Sequence, residues 1–139
     1  MMMRGTLAML PALLAIGLGA GIGNYTPAAA QTKEVKIGLI APMSGPWARQ
    51  GELMLKGANL AIDDINTQGG IKSLGGAKVK LLVVDAGDSV EKAKNAAQRM
   101  IAQEPDLIGA TGSWLSSFTL GVTEVTERAE LPVLTLSYS

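Results

Sequence analysis

The sequence predicts an α/β fold with an open, doubly wound parallel sheet, and three observations support this. Apolar runs of strand length alternate with amphipathic segments of helical period along the chain. The connections between these segments are short. The first apolar run is nearly continuous, as is typical of a strand buried on both faces of a parallel sheet. Because right-handed crossovers join parallel strands through helices, the order β-α-β-α-β-α-β predicts helices on both faces.

The first strand is predicted from Val35 to Met43, and the first helix from Glu52 to about Gln68. Apolar residues spaced by three and four positions give this helix a core-facing stripe. The stripe consists of Met54, Ala58, Ala61, Ile62 and Ile65. Gly69-Gly70 ends the helix, since glycine adopts the left-handed conformation at a helix end without steric cost.

The remaining elements continue the alternation. Ser89 is the predicted N-cap of the second helix, and Ser116 or Ser117 that of the third. The predicted ranges are Val79 to Asp85 (strand), Ser89 to about Gln103 (helix), Leu107 to Thr111 (strand), a helix with Phe118, Val122, Val125 and Ala129 facing inward, and Val133 to Leu136 (strand).

Residues 1–30 are predicted to be an export signal rather than part of the fold. Arg4 gives a positive start, an apolar segment runs from Leu7 to Ile22, and Ala28-Ala29-Ala30 supplies the small residues that precede a cleavage site before Gln31. A transmembrane anchor is the alternative. The unbroken apolar run is shorter than the ~20 residues that a span needs, and Pro11 and the glycines suit a span poorly.

The composition narrows the class of function. Twelve basic and twelve acidic residues balance, which gives no electrostatic reason to bind nucleic acid. The chain has no histidine and no cysteine, so Cys/His zinc sites, disulfides and a Ser-His-Asp triad are excluded. We therefore predict no metal, no cofactor and no catalytic residue. A hydrolase that uses Ser116 remains the enzymatic alternative, although no histidine is present to act as its base.

The segment from Gly112 to Thr119 is the strongest candidate for a binding site. It joins the third strand to the third helix at the carboxyl edge of the sheet, where a helix N-terminus offers backbone N–H groups and a positive dipole end. The hydroxyls of Ser116 and Ser117 add donors, which suits a carboxylate or another small polar group. Trp114 either belongs to the core or covers the apolar part of a ligand.

Two further groups of polar residues lie at predicted strand ends. Oxygens at the end of the fourth strand, Leu136 to Ser139, are expected to accept hydrogen bonds from an ammonium or amide group. Asp85 and Asp88 follow the second strand, where a ligand contact and a role in the turn or the helix start are both open.

An ordered set of motifs resembles the type I periplasmic solute-binding proteins of the branched-chain amino acid and amide group. The resemblance extends from about Val35 to Ser139. The motifs are Met43-Ser44-Gly45-Pro46, Gly51, Gly57-Ala58, Ile62-Asp63-Asp64-Ile65-Asn66 with Gly69-Gly70-Ile71, Val84-Asp85, Ser116-Ser117, and Glu127-Arg128-Ala129 before Pro132.

The resemblance implies two α/β lobes that close on a ligand, with this chain corresponding to a signal peptide (1–30) and an incomplete amino-terminal lobe (31–139). It implies that Ser116, beside Ser117, binds an amino acid carboxylate, and that Ser137 and Ser139 contact charged ligand atoms. An aromatic residue often precedes the glycine that matches Gly51. Here that residue is Gln50, and Trp47 lies three positions earlier.

The resemblance also implies a non-enzymatic function. The expected protein is a periplasmic component of an ABC transporter that captures a small amino acid or amide and delivers it to a membrane permease. The alternative is an extracytoplasmic ligand-sensing module of a receptor with the same fold.

Overall fold

The computed structural model describes residues 33–135 and residue 137, and the predicted export signal, Leu136 and Ser139 lie outside them. Four strands form one sheet in the order β2-β1-β3-β4, and every neighbouring pair is parallel. The predicted open parallel α/β sheet is therefore confirmed. Its elements are β1 (Glu34–Ala41), α1 (Ala48–Thr67), β2 (Lys78–Asp85), α2 (Val90–Gln103), β3 (Leu107–Gly112), α3 (Ser116–Arg128) and β4 (Val133–Thr135).

The main core lies between the sheet and the helices α2 and α3. Ile40 from β1 and Ala110 from β3 pack there against Met100 of α2 and Phe118 and Val122 of α3. All five side chains are buried. This packing fixes where α3 begins relative to the end of β3.

The stripe predicted for α1 is only partly buried, which corrects the sequence interpretation. Ala61 and Ile65 are exposed, and Met54 is of intermediate exposure. The reason is that α1 packs on β1 and β2, away from the core that α2 and α3 share. Leu60 of α1 is 73% exposed and Leu134 of β4 is 78% exposed. An apolar pattern predicts which residues prefer burial, but not whether a neighbouring element covers them.

Two boundaries at the start of the fold differ from the prediction. β1 ends at Ala41 rather than Met43, because the Met43 N–H donates to the Asp85 carboxylate instead of continuing the sheet. A short 3₁₀ turn, Gly45–Trp47, then leads directly into α1, which begins at Ala48 rather than Glu52. The helix therefore starts close to the carboxyl edge of the sheet.

The N-cap predicted for α2 is confirmed. The Ser89 hydroxyl accepts a hydrogen bond from the Lys92 N–H at 3.3 Å. Within residues 33–135, no helix has both the length and the apolar character needed to cross a membrane.

Candidate ligand-binding site

The strand order places a crevice at the carboxyl ends of β1 and β3. After β1 the chain turns toward α1 on one face of the sheet, and after β3 it turns toward α3 on the other. Ligands of open α/β proteins bind outside the carboxyl ends of the strands, where the order reverses in this way. The residues of the two connections, 42–47 and 113–115, therefore flank the candidate site.

The β3–α3 connection follows an unusual backbone path. Gly112 has φ +121° and Ser113 has φ +63°. A Cβ atom at position 112 would lie 2.1 Å from the Ile40 carbonyl oxygen, so the residue must be glycine. The Ser113 N–H donates to that same oxygen at 2.8 Å, which holds the connection against the end of β1.

The N-terminus of α3 is not capped in the way that the sequence suggested. Leu115 is the N-cap residue, and within the described residues no side chain caps the helix. Ser116 and Ser117 are instead its first two helical residues, so the prediction that either serine caps the helix is wrong. The two positive φ angles redirect the chain, so that the extended N-cap conformation falls on Leu115 (φ −99°, ψ 144°). No described side chain therefore satisfies the first-turn N–H groups of α3.

Gln50 and Trp114, both predicted site residues, line the same groove. This groove of about 450 Å³ lies between α1 and the sheet, and most of its lining is apolar. Its other lining residues are Leu39, Leu53, Met54, Gly57, Ala58 and Thr111. Within the described part of the chain, the buried Gln50 Oε1 atom has no hydrogen-bond partner. The groove thus offers a largely apolar surface, with Gln50, Thr111 and Trp114 as its polar-atom-bearing residues.

Ser137 is connected to α3 through two threonines that the sequence analysis did not single out. The Thr135 hydroxyl donates to Ser137 Oγ at 2.7 Å, and Thr135 Oγ1 lies 3.3 Å from Thr119 Oγ1. Thr119 is in the first turns of α3. We call Thr119, Thr135 and Ser137 the hydroxyl chain. Thr119 follows Ser116 by three positions, which places the two residues on the same face of a helix. This spacing was the only sequence signal that placed Thr119 near Ser116.

Asp85 holds the connection after β1, which supports the role in the turn that the sequence analysis left open for it. Its Oδ1 accepts from the N–H groups of Met43 and Gly87, each at 2.8 Å. Burial acts to raise the pKa of Asp85, but hydrogen bonds from the Ser44 side chain and from backbone N–H groups outweigh it and lower the pKa. The ionised carboxylate therefore holds the β1–α1 connection in place. Asp88 pairs with Lys92 at 2.7 Å.

Trp47 and Ser139 are the other two residues predicted for the site. Trp47 ends the 3₁₀ turn and is the N-cap residue of α1, one helical turn before Gln50. Ser139 lies outside the described residues. Ser113, which lies in the predicted segment but was not named as a site residue, is 1% exposed, and within the described residues its hydroxyl has no hydrogen-bond partner.

The fold and this edge of the sheet define an α/β lobe of the kind that binds small molecules. Residues 34–139 match the model of the periplasmic binding protein family. The chain belongs to this family of periplasmic binding proteins.

Known proteins similar to the chain carry names that agree with this family. It is 33% identical over 124 residues to Leu/Ile/Val-binding protein homolog 7 of Brucella melitensis, which covers 89% of this chain and 29% of the relative. It is 34% identical over 125 residues to Leu/Ile/Val-binding protein homolog 8 of Brucella suis. This match covers 86% of this chain and 28% of the relative. The chain therefore spans less than a third of the length of these relatives.

Solved structures that are similar to this chain also carry names of substrate-binding proteins. The chain superposes on the branched-chain amino acid transporter substrate-binding protein LivJ of Streptococcus pneumoniae, a complex with isoleucine, with a TM-score of 0.69 and 28% identity. That match covers 76% of this chain and 29% of the other. The chain also superposes on an ABC transporter substrate-binding protein of Desulfitobacterium hafniense, in complex with Leu, with a TM-score of 0.63 and 27% identity. This match covers 76% of this chain and 29% of the other.

Proposed function

We propose that this chain forms one half of the solute site of an exported binding protein that serves an ABC transporter. The solute is a small amino acid or amide, and the loaded protein delivers it to a membrane permease. The names of the similar proteins support this proposal, since they are Leu/Ile/Val-binding and ABC transporter substrate-binding proteins.

The observation that carries the proposal is the uncapped N-terminus of α3 at the carboxyl edge of the sheet. Thirteen residues of helix direct their dipole toward this point, and no side chain of the described residues satisfies the first turn. Ser116 and Ser117 add hydroxyl donors at the first two positions. Backbone N–H groups and neutral hydroxyls together suit a carboxylate, in the manner of anion sites at helix N-termini.

The apolar part of the solute is proposed to lie at the groove beside α1. Trp114 follows the β3–α3 connection directly and lines this groove together with Gln50. The ring of Trp114 offers an apolar surface, while Gln50 Oε1 offers an acceptor for a polar hydrogen. Trp47, one turn away from Gln50, is proposed to cover the mouth of the groove. Nothing in this arrangement requires chemistry at Ser116, so capture alone is the proposed activity.

Replacing Ser116 by alanine is expected to weaken binding of the solute about tenfold, because one hydrogen bond to a charged group is lost. The measurement is a titration of the purified protein with leucine, isoleucine, valine, leucinamide and acetamide. Nuclear magnetic resonance is suited to this titration, since half a cleft binds weakly and the method detects millimolar dissociation constants.

Ser73→Ala is the matched control. Ser73 is an exposed serine in the short turn between α1 and β2, at the amino end of the sheet. The Ser73→Ala variant should bind the solute with the same affinity as the unchanged protein. Equal affinities for Ser116→Ala and Ser73→Ala would contradict the assignment of Ser116, and no binding of any of the five compounds to the unchanged protein would contradict the proposed function.

Residues 1–30 are proposed to be the signal peptide that carries the chain to the periplasm, and residues 31–139 to be amino-terminal lobe sequence. The proposal depends on the order of Arg4, the apolar segment and Ala28-Ala29-Ala30. Mass spectrometry of the protein isolated from the periplasm is expected to give a mature form beginning at Gln31. A product that retains Met1 and stays with the membrane would instead indicate an anchor.

A further inference from the structure

Helix α1 carries two leucines on the side that faces away from the sheet. Gly51, Leu55 and Ile62 belong to its less exposed side, with which it packs on β1 and β2. Leu53 and Leu60 lie on the opposite side and are 57% and 73% exposed. Seven positions, or two helical turns, separate them, so the two side chains are aligned about 10 Å apart along the helix axis.

Charged residues continue the line of these two leucines in both directions. Arg49 precedes Leu53 by four positions, and Asp64 follows Leu60 by four, which places all of them on one helical face. We call this the outer face of α1, and its residues are Arg49, Leu53, Lys56, Leu60, Asp63 and Asp64. Single exposed leucines are ordinary, but a pair spaced by seven residues is the pattern with which helices pack against other helices.

The charges of the outer face oppose the dipole of α1. Arg49 is the second residue of the helix, and Asp63 and Asp64 lie near its end. The first turn contains no acidic residue and the last turn no basic one, although the dipole favours anions at the start and cations at the end. Among residues 33–135, neither Arg49 nor Asp63 forms an ion pair. A helix that runs in the opposite direction would complement this arrangement.

We propose that the outer face of α1 binds the same face of a second copy of this chain, with the two helices antiparallel. A two-fold axis between residues 56 and 57 places Leu53 of each copy against Leu60 of the other. The same axis places Arg49 of each copy against the Asp63-Asp64 pair of the other. The apolar residues and the charges therefore favour the same register, and the antiparallel helix dipoles attract each other.

The dimer is weak and depends on concentration. α1 has 20 residues and is about 30 Å long, so a contact of one helix with one helix is smaller than the standard interface of about 1,600 Å². Lys56 opposes the association, because the two copies of it approach each other near the axis. Lys56→Ala should therefore tighten the dimer.

Sedimentation velocity of the purified protein, from micromolar to millimolar concentration, measures the association. We expect a reversible change from monomer to dimer. Leu60→Gln should raise the dissociation constant of the dimer about tenfold or more, because apolar burial is lost at two symmetry-related places. Leu60 is chosen because, unlike Leu53, it does not line the groove beside α1. The matched control is Leu120→Gln, which alters a leucine of α3 that is 72% exposed and should leave the association unchanged.

A charge exchange tests the antiparallel register. Arg49→Asp should weaken the dimer several-fold, since it places like charges against each other. Combining Arg49→Asp with Asp63→Arg should recover most of the affinity, because each copy then presents both exchanged charges. Arg49→Asp also gives the first turn of α1 an acidic residue, which the helix dipole favours. The melting temperature of the monomer should therefore not fall, which separates loss of the contact from loss of the fold.

The inference does not depend on the proposed solute site, since Arg49, Leu60 and Asp63 do not line the groove. A protein that stays monomeric at every concentration would overturn it. So would a dimer that Leu60→Gln leaves intact, or one that Leu60→Gln and Leu120→Gln weaken equally. The antiparallel register is overturned if the combined charge exchange is as weak as Arg49→Asp alone.

Discussion

Replacing Gly112 by alanine is expected to lower the free energy of unfolding by about 3 kcal/mol, because two costs combine at this position. The φ angle of +121° is one that residues with a side chain rarely adopt. The new Cβ atom would also lie 2.1 Å from the Ile40 carbonyl oxygen, which accepts the Ser113 N–H. Relieving the clash would break that hydrogen bond and displace the start of α3. Urea denaturation followed by circular dichroism gives the measurement.

Gly57→Ala is the matched control for Gly112→Ala. Gly57 lies within α1, and a Cβ atom added there would meet no atom within 4 Å. Alanine favours a helix more than glycine does, so this variant should gain about 0.5–1 kcal/mol of stability. A stability of Gly112→Ala close to that of the unchanged protein would show that the β3–α3 connection is not held as described.

Phe118→Ala is expected to cost about 3–5 kcal/mol of stability, the range for removing a buried aromatic side chain. Phe118 is 4% exposed and packs in the core with Met100 and Val122. It is the third residue of α3, so it also anchors the turn that carries Ser116 and Ser117. We therefore expect the variant to lose solute binding together with stability. The same denaturation measurement and the leucine titration test both effects.

Leu120→Ala is the matched control for Phe118→Ala, because it removes an exposed apolar side chain from the same helix instead of a buried one. Leu120 is two residues further along the same helix and is 72% exposed. Its removal should change stability by about 0.5 kcal/mol or less. Equal destabilisation by Phe118→Ala and Leu120→Ala would contradict the placement of the core on the side of α2 and α3.

The order of elements and the confirmed cap of α2 could be predicted from the sequence, since both depend on local patterns. Apolar runs and helical spacing are properties of neighbouring residues, and Ser89 caps a helix that starts at the next residue. The start of α3 could not be predicted in this way. It depends on the positive φ angles of Gly112 and Ser113, which cannot be predicted from the apolar pattern. As a result, the N-cap residue is Leu115 rather than one of the serines.

The candidate site was predictable in its location but not in its contacts. The carboxyl edge follows from the strand order, and the structure has Ser116, Ser117 and Ser137 at that edge of the sheet. Thr119 and Thr135 were missed, because their hydrogen bond joins α3 to β4 and exists only once both elements are in place. The incomplete burial of α1 has a similar origin, since it depends on which element covers a surface rather than on the sequence of the helix itself.

The central claim is that the first turn of α3 binds the negatively charged end of the solute. The most direct measurement follows the backbone amide resonances of the purified, isotope-labelled protein during a titration with leucine. We predict that the largest saturable shifts occur at Ser116, Ser117 and Phe118. Saturable shifts confined to the amino end of the sheet, with the α3 resonances unchanged, would contradict it.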